Sequence, residues 1–481
     1  MNLTPLLLLT IFMLVALAVP ASGQRLMIGW AERDISPRLP VVLVGQFHAR
    51  VATEIRDPLT VTALALSAGQ DGDGAVLVSC DVIGIRDDII ERCREAIAER
   101  VSDLPPENVL LIATHTHTAP GLYDRFPQQV EDEMRPAEFA DLFVERVAEA
   151  VQEAWAQRSP GSVGWGYGHA VVGHNRRVVS FDGNARMYGK TDDPNFSHIE
   201  GYEDHGVDLL YTWDEAGELT GVAINIACPS QVVGSASYVS ADFWHDTKVQ
   251  LRERIGEGLF VLGHSSAAGD QAPRHMVHRA KEQRMQALRG LTSRQELGRR
   301  IANAVEDVLP LAQMEAADAP LLRHMVRQVP LTRQPISVEQ VETARRDLER
   351  LQGEEPADER AATRRYTHMT RAQRIIDRYE EQQEQPTLEY TIHVIRLGDV
   401  AFASNPFEYY LDFGLRIEAR SPAHQTFTIQ RAGQQGYIPT ARALEGGGYS
   451  ADGHNLIGSQ GGQELVEHTL EMLNELWAEG P

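Results

Sequence analysis

The chain has few cysteines. Its 481 residues include three of them, Cys80, Cys93 and Cys228, and an odd number leaves at least one thiol free or available as a ligand. A disulfide scaffold is therefore excluded. Cys80 lies in the strand-like run AVLVSCDVIGI and Cys93 in the helix-like run DDIIERCREAIAERV, so we interpret both as small buried apolar residues.

Positive charge is also scarce. The chain has 45 Lys and Arg against 68 Asp and Glu, which gives a formal net charge of -23. A nucleic-acid backbone needs a basic surface, and the arginine-rich segments here are interleaved with Glu and Asp, as solvated helix faces are. We therefore expect no nucleic-acid partner. The composition, 43% hydrophobic and 23% charged, is otherwise that of a globular protein.

Long apolar runs are missing except near the N terminus. Residues 6–19 are almost wholly apolar and are followed by VPASGQ, in which Ala21 and Gly23 have the spacing of a signal-peptidase site. The run is short for a membrane span, although MNLTP lacks the usual basic residue. We predict a cleaved signal peptide over residues 1–23, a mature chain from about Gln24, and a secreted or periplasmic protein without a transmembrane segment. The alternative is an uncleaved membrane anchor.

Strand-like and helix-like runs alternate along the chain. Strands are predicted over residues 75–79, 108–113 and 258–262, and helices over residues 87–101 and 137–157. This alternation predicts an α/β fold, a layered sheet with flanking helices. The stretch VDLLYTWDEAGELTGVAINIA predicts two strands joined by a Gly-containing turn, so the sheet is expected to be mixed.

The segment from about residue 335 to 385 differs from the rest. Two charge-dense stretches of helical periodicity, SVEQVETARRDLERLQ and DERAATRRYTHMTRAQRIIDRYEEQQEQ, flank GEEPA. They predict an antiparallel helical hairpin inserted between two strands. Mixed charge is typical of solvated surface, and the alternative is that the hairpin is a lid.

Two histidines follow a buried strand. In LLIATHTHTAPGLY, His115 and His117 come directly after the apolar run. In an extended backbone, side chains at i and i+2 point to the same face. Both imidazoles could then bind one metal ion, or one could bind the metal while the other acts on the substrate. The alternative is that each is an ordinary hydrogen-bonded histidine.

Three more polar segments follow predicted strands. GHSSAAGDQAPRH places Asp270 in a loop where Gly269 allows another backbone to approach closely. In VAFASNPFEYYLDFG, Glu408 falls at the start of a predicted helix, where the helix dipole favours a carboxylate, so a capping role is the alternative to a site role. QQGYIPTARALEGGGYSADG places Tyr437 and Tyr449 in Gly-rich loops, where simple ring packing is the alternative.

Together these segments resemble the neutral (alkaline, non-lysosomal) ceramidase family. GWAERDISP, ATHTHTAPG, GHNRR, GVAINIA, the Gly-Asp-x-x-Pro loop, NPFE, and GYIPT followed by GGGY occur in the family's order over about residues 28–458. Each motif is weak alone, but their joint order and spacing are specific. The family consists of zinc amidases that cleave the N-acyl bond of ceramides on a mixed α/β domain. An immunoglobulin-like domain often follows, and we do not expect one here.

The resemblance implies a set of site residues. It implies zinc ligands at His115, Glu408 and Tyr437, and places His117, Arg176 and Tyr449 at catalytic or substrate-binding positions. Asp270, in the Gly-Asp loop, is expected to belong to the catalytic set.

The sequence departs from the family pattern at two positions. Where the family has a third zinc-binding histidine, this chain reads INIACPSQ, and Cys228 becomes the candidate fourth ligand because a thiolate binds zinc well. The family's catalytic serine is replaced by Ala272. Ser265 and Ser266 are near in sequence, but neither matches that position.

We therefore expect residues 24–481 to form a zinc-dependent hydrolase that cleaves an N-acyl amide or ester bond of a small-molecule or lipid substrate. Metal-activated water would attack directly, with His117 as proton shuttle and Tyr449 or Arg176 stabilising the oxyanion. Two alternatives stay open. One is a true ceramidase that releases fatty acid from N-acylsphingosine, and the other is a non-catalytic relative that binds a metal or an acyl ligand.

Overall fold

The structure is a computed structural model that describes residues 25–69, 73–127 and 130–478. The predicted signal peptide and the predicted mature start at Gln24 lie outside these residues. Within the described ranges, no helix combines the length and the apolar character needed to cross a membrane.

The strands and helices alternate over most of the chain. The strands are β1 Leu26–Asp34, β2 Val41–Leu43, β3 Arg50–Ala52, β4 Thr60–Ala68, β5 Gly74–Cys80, β6 Val109–Ala113, β7 Ser159–His169, β8 His174–Asn175, β9 Arg177–Ser180, β10 Ala185–Met187, β11 Phe196–Ile199, β12 Gly206–Asp214, β13 Leu219–Ile226, β14 Phe260–Ser265, β15 Gln271–Ala272, β16 Leu322–Thr332, β17 Thr387–Leu397, β18 Val400–Ser404, β19 Glu408–Tyr409, β20 Gln425–Ile429 and β21 Tyr437–Ile438. The helices are α1 Asp87–Ala98, α2 Pro136–Ala156, α3 Phe243–Arg254, α4 Arg279–Arg289, α5 Ser293–Met314, α6 Val338–Gly353, α7 Glu359–Glu381, α8 Leu411–Arg420, α9 Ala441–Gly446 and α10 Ser459–Ala478, with a short 3-10 helix at Pro106–Asn108.

Two stacked sheets form the centre of the fold. One has eight strands in the order β14-β13-β12-β7-β1-β4-β5-β6, and the other has four in the order β16-β17-β18-β20. Side chains from both sheets, among them Leu64, Leu77, Ile395 and Phe402, form one buried apolar cluster. Strands buried on both faces need apolar residues at consecutive positions, and this is why their sequences are near-continuous apolar runs.

Helices cover the outer face of each sheet. Helices α1 and α2 pack on one half of the eight-stranded sheet, α3 and α5 on its other half, and α8 and α10 on the four-stranded sheet. In α2, Phe139, Phe143, Val147 and Val151 are buried, and this four-residue spacing forms the apolar stripe that faces the sheet. The predicted α/β class with a mixed sheet and flanking helices is confirmed.

Parallel strand pairs bring several loops to one end of the sheets. The segments that follow the parallel neighbours β5 and β6 run together, since Thr114 N donates to Cys80 O at 2.9 Å. The chain after β20 joins them, because Ala113 N donates to Arg431 O at 3.1 Å and Gln430 N donates to Ser265 O at 3.0 Å. The carboxyl ends of strands from both sheets therefore meet, which is where α/β folds place their ligands.

The predicted helical hairpin is present as α6 and α7, between β16 and β17. It has a small apolar cluster that includes Val341 and Ile375. It is also attached to a neighbouring loop, because the buried Arg378 donates to the carbonyl oxygens of Gly453 at 2.7 Å and Asn455 at 2.6 Å. The hairpin is thus more than a solvated excursion.

We predict that the fold survives replacement of residues 335–385 by a short Gly-containing turn. Strands β16 and β17 are antiparallel neighbours, and their last register pair joins Thr332 to Thr387, so a tight turn can connect them. Circular dichroism and urea titration should give a soluble chain with one cooperative unfolding transition. An insoluble product, or loss of the cooperative transition seen for the full chain, would contradict the prediction.

Candidate functional site

A cavity of about 1050 Å³ opens at this end of the sheets. Most of the predicted site residues line it, namely His115, His117, Arg176, Glu408, Tyr437 and Tyr449. Cys228 and Asp270 are not among its lining residues. The structure therefore brings together residues that are up to several hundred positions apart in the chain.

His115 lies on the cavity floor in a strained backbone conformation. Its φ is 64°, in the left-handed region that residues other than glycine rarely adopt. The extended backbone expected for the H-x-H segment is therefore wrong at His115, although the two rings still meet, with centroids 4.9 Å apart. Nδ1 of His115 donates to the carbonyl oxygen of Ile83 at 2.6 Å. Nε2 is then the ring atom left for the cavity.

A short parallel bridge holds Glu408 beside Tyr437. Strands β19 and β21 pair these two residues in register, and Glu408 Oε2 lies 3.3 Å from His115 Nε2. Helix α8 begins only at Leu411, so the predicted place of Glu408 in the first turn of a helix is wrong. Its carboxylate faces the cavity from a strand, not from a helix terminus.

Burial and mutual charge set the protonation of this cluster. Burial acts to raise the pKa of the Glu408 carboxyl, but the His115 imidazole, and after it the Arg431 guanidinium, hold that pKa well below its usual range. Burial, reinforced by Glu408, raises the pKa of the Tyr437 phenol well above its usual value. Burial and then His115 lower the pKa of His117 far below 6.5. At neutral pH, His117 is therefore an uncharged imidazole.

Gln231 orients His117. Arg176 Nη1 donates to Gln231 Oε1 at 3.2 Å, which turns the amide so that its Nε2 donates to His117 Nε2 at 2.9 Å. Because that ring nitrogen accepts, the proton of neutral His117 lies on Nδ1. Sequence reasoning missed Gln231, although its place in a polar loop directly after β13 is the kind of signal that marks such residues.

Arg176 links the Gly-Asp loop to the floor of the cavity. Its Nη2 donates to the carbonyl oxygen of Gly269 at 2.8 Å and lies 3.5 Å from the Tyr437 hydroxyl. The predicted close approach at Gly269 is present, because a Cβ there would lie 2.4 Å from the carbonyl oxygen of Glu408. A side chain at this position would push Glu408 out of place.

Asp270 holds the surrounding backbone and does not face the cavity. Its carboxylate accepts from Asn175 Nδ2 at 2.7 Å and from Leu411 N at 3.0 Å, and its carbonyl oxygen accepts from Arg176 N at 2.9 Å. Burial raises the pKa of its carboxyl to about 6. These contacts hold the surrounding backbone, so they give the predicted catalytic role of Asp270 no support, and that role stays a prediction.

Tyr449 stands at the rim, where the hairpin joins the cavity wall. Its ring lies edge-on to Tyr437, with centroids 5.6 Å apart, and to Phe47 at 5.3 Å. The guanidinium of Arg371, on α7, lies 5.4 Å from the Tyr449 ring. Arg177, which sequence reasoning missed, donates to the Tyr449 carbonyl oxygen at 3.4 Å and so fixes this loop.

Cys228 is packed in the apolar core. It is fully buried with side chains of α3 and α5, its Sγ lies 3.6 Å from the carbonyl oxygen of Pro229, and burial raises the pKa of its thiol well above 9.0. A thiol must lose its proton to bind zinc. The structure therefore gives the predicted fourth ligand no support, and its role is a prediction for experiment.

Ala272 lines the cavity and is fully buried. Ser265, one of the two serines considered from the sequence, donates to the carbonyl oxygen of Ser266 at 3.0 Å and accepts from Gln430 Nε2 at 3.1 Å. Neither Ser265 nor Ser266 is a lining residue. Ser235 does line the cavity.

The donor atoms on the floor suit a zinc ion with three protein ligands. Over residues 25–69, 73–127 and 130–478, no three His, Cys, Asp or Glu side chains form a group that could hold a metal. The cluster at the floor instead combines an imidazole, a carboxylate and a phenol, from His115, Glu408 and Tyr437. The carbonyl that fixes Nδ1 of His115 is the outer-shell partner typical of zinc-binding histidines. Three ligands leave the open position that catalytic zinc requires.

The fold is similar to that of solved ceramidase structures. The neutral ceramidase from Pseudomonas aeruginosa is 17% identical, with a TM-score of 0.70 over 95% of this chain and 75% of that chain. A ceramidase complexed with C2 is also 17% identical, with a TM-score of 0.69 over 95% of this chain and 76% of that chain. No protein-family model matches the chain, and no curated protein matches it by sequence. At this identity the likeness establishes the fold alone.

We predict that Gly45→Ala destabilises the protein more than Gly183→Ala, by about 1–3 kcal/mol. Both glycines have a positive φ, +96° and +85°, but a Cβ at Gly45 would lie 2.6 Å from His117 Cγ, while one at Gly183 would meet nothing within 4 Å. The backbone strain is thus similar in the two variants. The difference between their losses of unfolding free energy therefore measures the contact of the new Cβ with the His117 ring. Urea unfolding measures both variants. Equal losses would show that the His117 ring does not pack against residue 45.

Proposed function

We propose that this protein is a zinc-dependent hydrolase of the neutral ceramidase type, secreted or periplasmic, that cleaves an N-acyl amide or ester bond. The observation that carries the proposal is the convergence of His115, His117, Glu408 and Tyr437 in one cavity of a ceramidase-like fold. True ceramidase activity is a narrower form of the same proposal, supported by the likeness to the two ceramidase structures.

Three side chains would hold the metal. These are His115 through Nε2, the Glu408 carboxylate and the Tyr437 phenol. Without a cation the pKa of the Tyr437 phenol is high, so metal binding would have to displace its proton. When bound, zinc supplies Lewis-acid chemistry that makes water a better nucleophile and an acyl carbonyl a better electrophile.

His117 would move the proton. It is neutral because of its burial and its neighbour His115. Its Nε2 accepts from the Gln231 amide at 2.9 Å and lies 3.4 Å from His115 Nε2. Once attacking water displaces the Gln231 amide, this nitrogen can take a proton from the water and pass it to the leaving nitrogen or oxygen, as a general base and then a general acid. Until then, Gln231 keeps Nε2 unprotonated.

Arg176 and Tyr449 would stabilise the negative charge that develops on the acyl oxygen. Arg176 is 2% exposed as a whole residue, so water screens its charge little. The phenol of Tyr449 is a second donor at the rim of the same cavity. Because hydrogen-bond donors of this kind are in place before the reaction, no free energy is spent on reorienting them as the negative charge develops.

Direct attack by water fits the residues at the family's serine position. Ala272 has no hydroxyl, and Ser265 is bonded elsewhere. An acyl-enzyme would need a nucleophile beside a base. The lining residue Ser235 follows Gln231, which contacts His117, by four positions. The same lack of a serine favours the second candidate, a relative that binds metal or an acyl ligand without turnover.

We predict about one zinc ion per chain in the wild type. His115→Ala and Glu408→Ala should lower the zinc content at least about tenfold, because each removes a ligand. Cys228→Ala is the matched control and should keep its zinc. Elemental analysis of folded proteins measures this, and full occupancy in His115→Ala would contradict the ligand assignment.

The same preparations should be assayed with N-acyl amides, ceramide and acyl esters, and quenched samples examined by mass spectrometry. We expect zinc-dependent turnover without an acyl adduct. An adduct on Ser235 would replace direct water attack with a covalent route. Stable zinc binding without turnover of any substrate in the panel would favour the non-catalytic alternative.

A further inference from the structure

The cavity is rich in arginine although the chain as a whole is acidic. The full sequence has a formal net charge of -23. Among the described residues, the cavity lining includes seven arginines and two glutamates. A concave surface in which one sign of charge predominates focuses its electric field on whatever binds there. The acidic composition of the whole chain does not explain why arginines outnumber glutamates in the cavity lining. A ligand that carries negative charge would explain it.

Most of these arginines are engaged by the protein itself. Arg300 pairs with Glu282 at 2.6 Å, and Arg371 lies 3.4 Å from Asp452. Arg176 donates to the Gly-Asp loop and to Tyr188, as part of the cavity floor. Such contacts account for the presence of these side chains without any ligand.

Arg274 and Arg279 are different. In the described part of the chain, neither forms an ion pair with a carboxylate, and Arg279 Nε is buried without a hydrogen bond. The contact that Arg279 does make is weak, from Nη2 to the Met276 sulfur at 4.0 Å. Burial and then the charge of Arg274 lower the pKa of Arg279, with only Asp192 acting in the opposite sense. Arg274 is exposed and Arg279 is half-buried, and both line the cavity. Two like charges therefore face one space, an arrangement that a bound anion would stabilise.

This pair lies on the same wall as the catalytic arginine. Strand β15 pairs with β8 and places Ala272 opposite His174, and the His174 ring contacts His275, the neighbour of Arg274, at 4.4 Å between centroids. His174 precedes Arg176 by two residues, and both side chains line the cavity together with Arg274 and Arg279. A substrate in this cavity therefore borders both the arginine pair and Arg176.

The surrounding wall does not suit a long alkyl chain. Besides the two arginines it presents His275, Gln283 and Gln286, and the ion pair of Glu282 with Arg300. Covering the two guanidinium groups and the glutamine amides with hydrocarbon would leave polar atoms without partners, at a cost in free energy. A carboxylate or a phosphate would instead accept charge-assisted hydrogen bonds from the guanidinium groups.

We propose that the substrate carries an anionic group, a carboxylate or a phosphate, apart from its acyl bond, and that Arg274 and Arg279 bind this group. The inference rests on the proposed function, since it names the substrate class of the same cavity. It gives the protein a preference for small acidic acyl compounds over neutral ones of the same shape.

The test compares matched substrates that differ in one charge. The pairs are glutaryl 4-nitroanilide with its methyl ester, and an N-acylated amino acid with its methylamide. Wild type should prefer the acidic member in kcat/KM for at least one pair. Arg274→Gln/Arg279→Gln should lower that preference about tenfold or more. Arg284→Gln should leave it unchanged, because Arg284 is an exposed arginine on the helix of Arg279, outside the cavity lining.

A binding measurement separates this inference from the hydrolase proposal. Calorimetric titration with glutarate and with inorganic phosphate needs no turnover. The anion that binds more tightly shows whether the site takes a carboxylate or a phosphate. We expect binding that weakens about tenfold in the double variant only. Neutral acyl substrates hydrolysed without acidic preference, or anion binding equal in all variants, would overturn the inference. Anion binding lost in the double variant, without any hydrolysis, would uphold it and contradict the hydrolase proposal.

Discussion

The site depends on the backbone contact between the ends of the two sheets. The hydrogen bonds from Ala113 N to Arg431 O and from Gln430 N to Ser265 O tie the chain after β20 to the chain after β6 and β14. The first brings the histidine segment beside the loop that leads to Tyr437, and the bridge between β19 and β21 adds Glu408. A buried backbone N–H or C=O group without a hydrogen-bond partner costs free energy. The requirement that pairs the strands within the sheets therefore also keeps these hydrogen bonds at the junction.

The same junction imposes strain and charge burial that packing elsewhere must offset. His115 and Arg431 both have a positive φ, 64° and 62°, and such residues persist where the surroundings over-determine them. The buried Arg176 guanidinium and Glu408 carboxylate lie in one small volume, where desolvation is expensive unless opposite charges and hydrogen bonds compensate. The stacked sheets and their helical layers supply the rigidity that holds this arrangement.

Much of the fold could be predicted from the sequence, because strands and amphipathic helices leave local patterns. The division of the strands between two stacked sheets could not, since strands buried on both faces show the same apolar run in either sheet. At the site, polar residues after strands identified His115 and Glu408. Gln231 and Arg431 also follow strands, β13 and β20, but their roles come from long-range contacts that no local pattern shows. The helix predicted at Glu408 failed because pairing with Tyr437, distant in the chain, outweighs a favourable helix start.

A crystal structure of the zinc-loaded protein, with anomalous diffraction recorded at the zinc edge, tests the ligand assignment most directly. We predict an anomalous peak bound by His115 Nε2, the Glu408 carboxylate and the Tyr437 hydroxyl, with Cys228 still packed in the apolar core. A peak bound to Cys228 or elsewhere in the chain would contradict it. So would a cavity floor without a peak, in which His115 and Glu408 keep their direct contact.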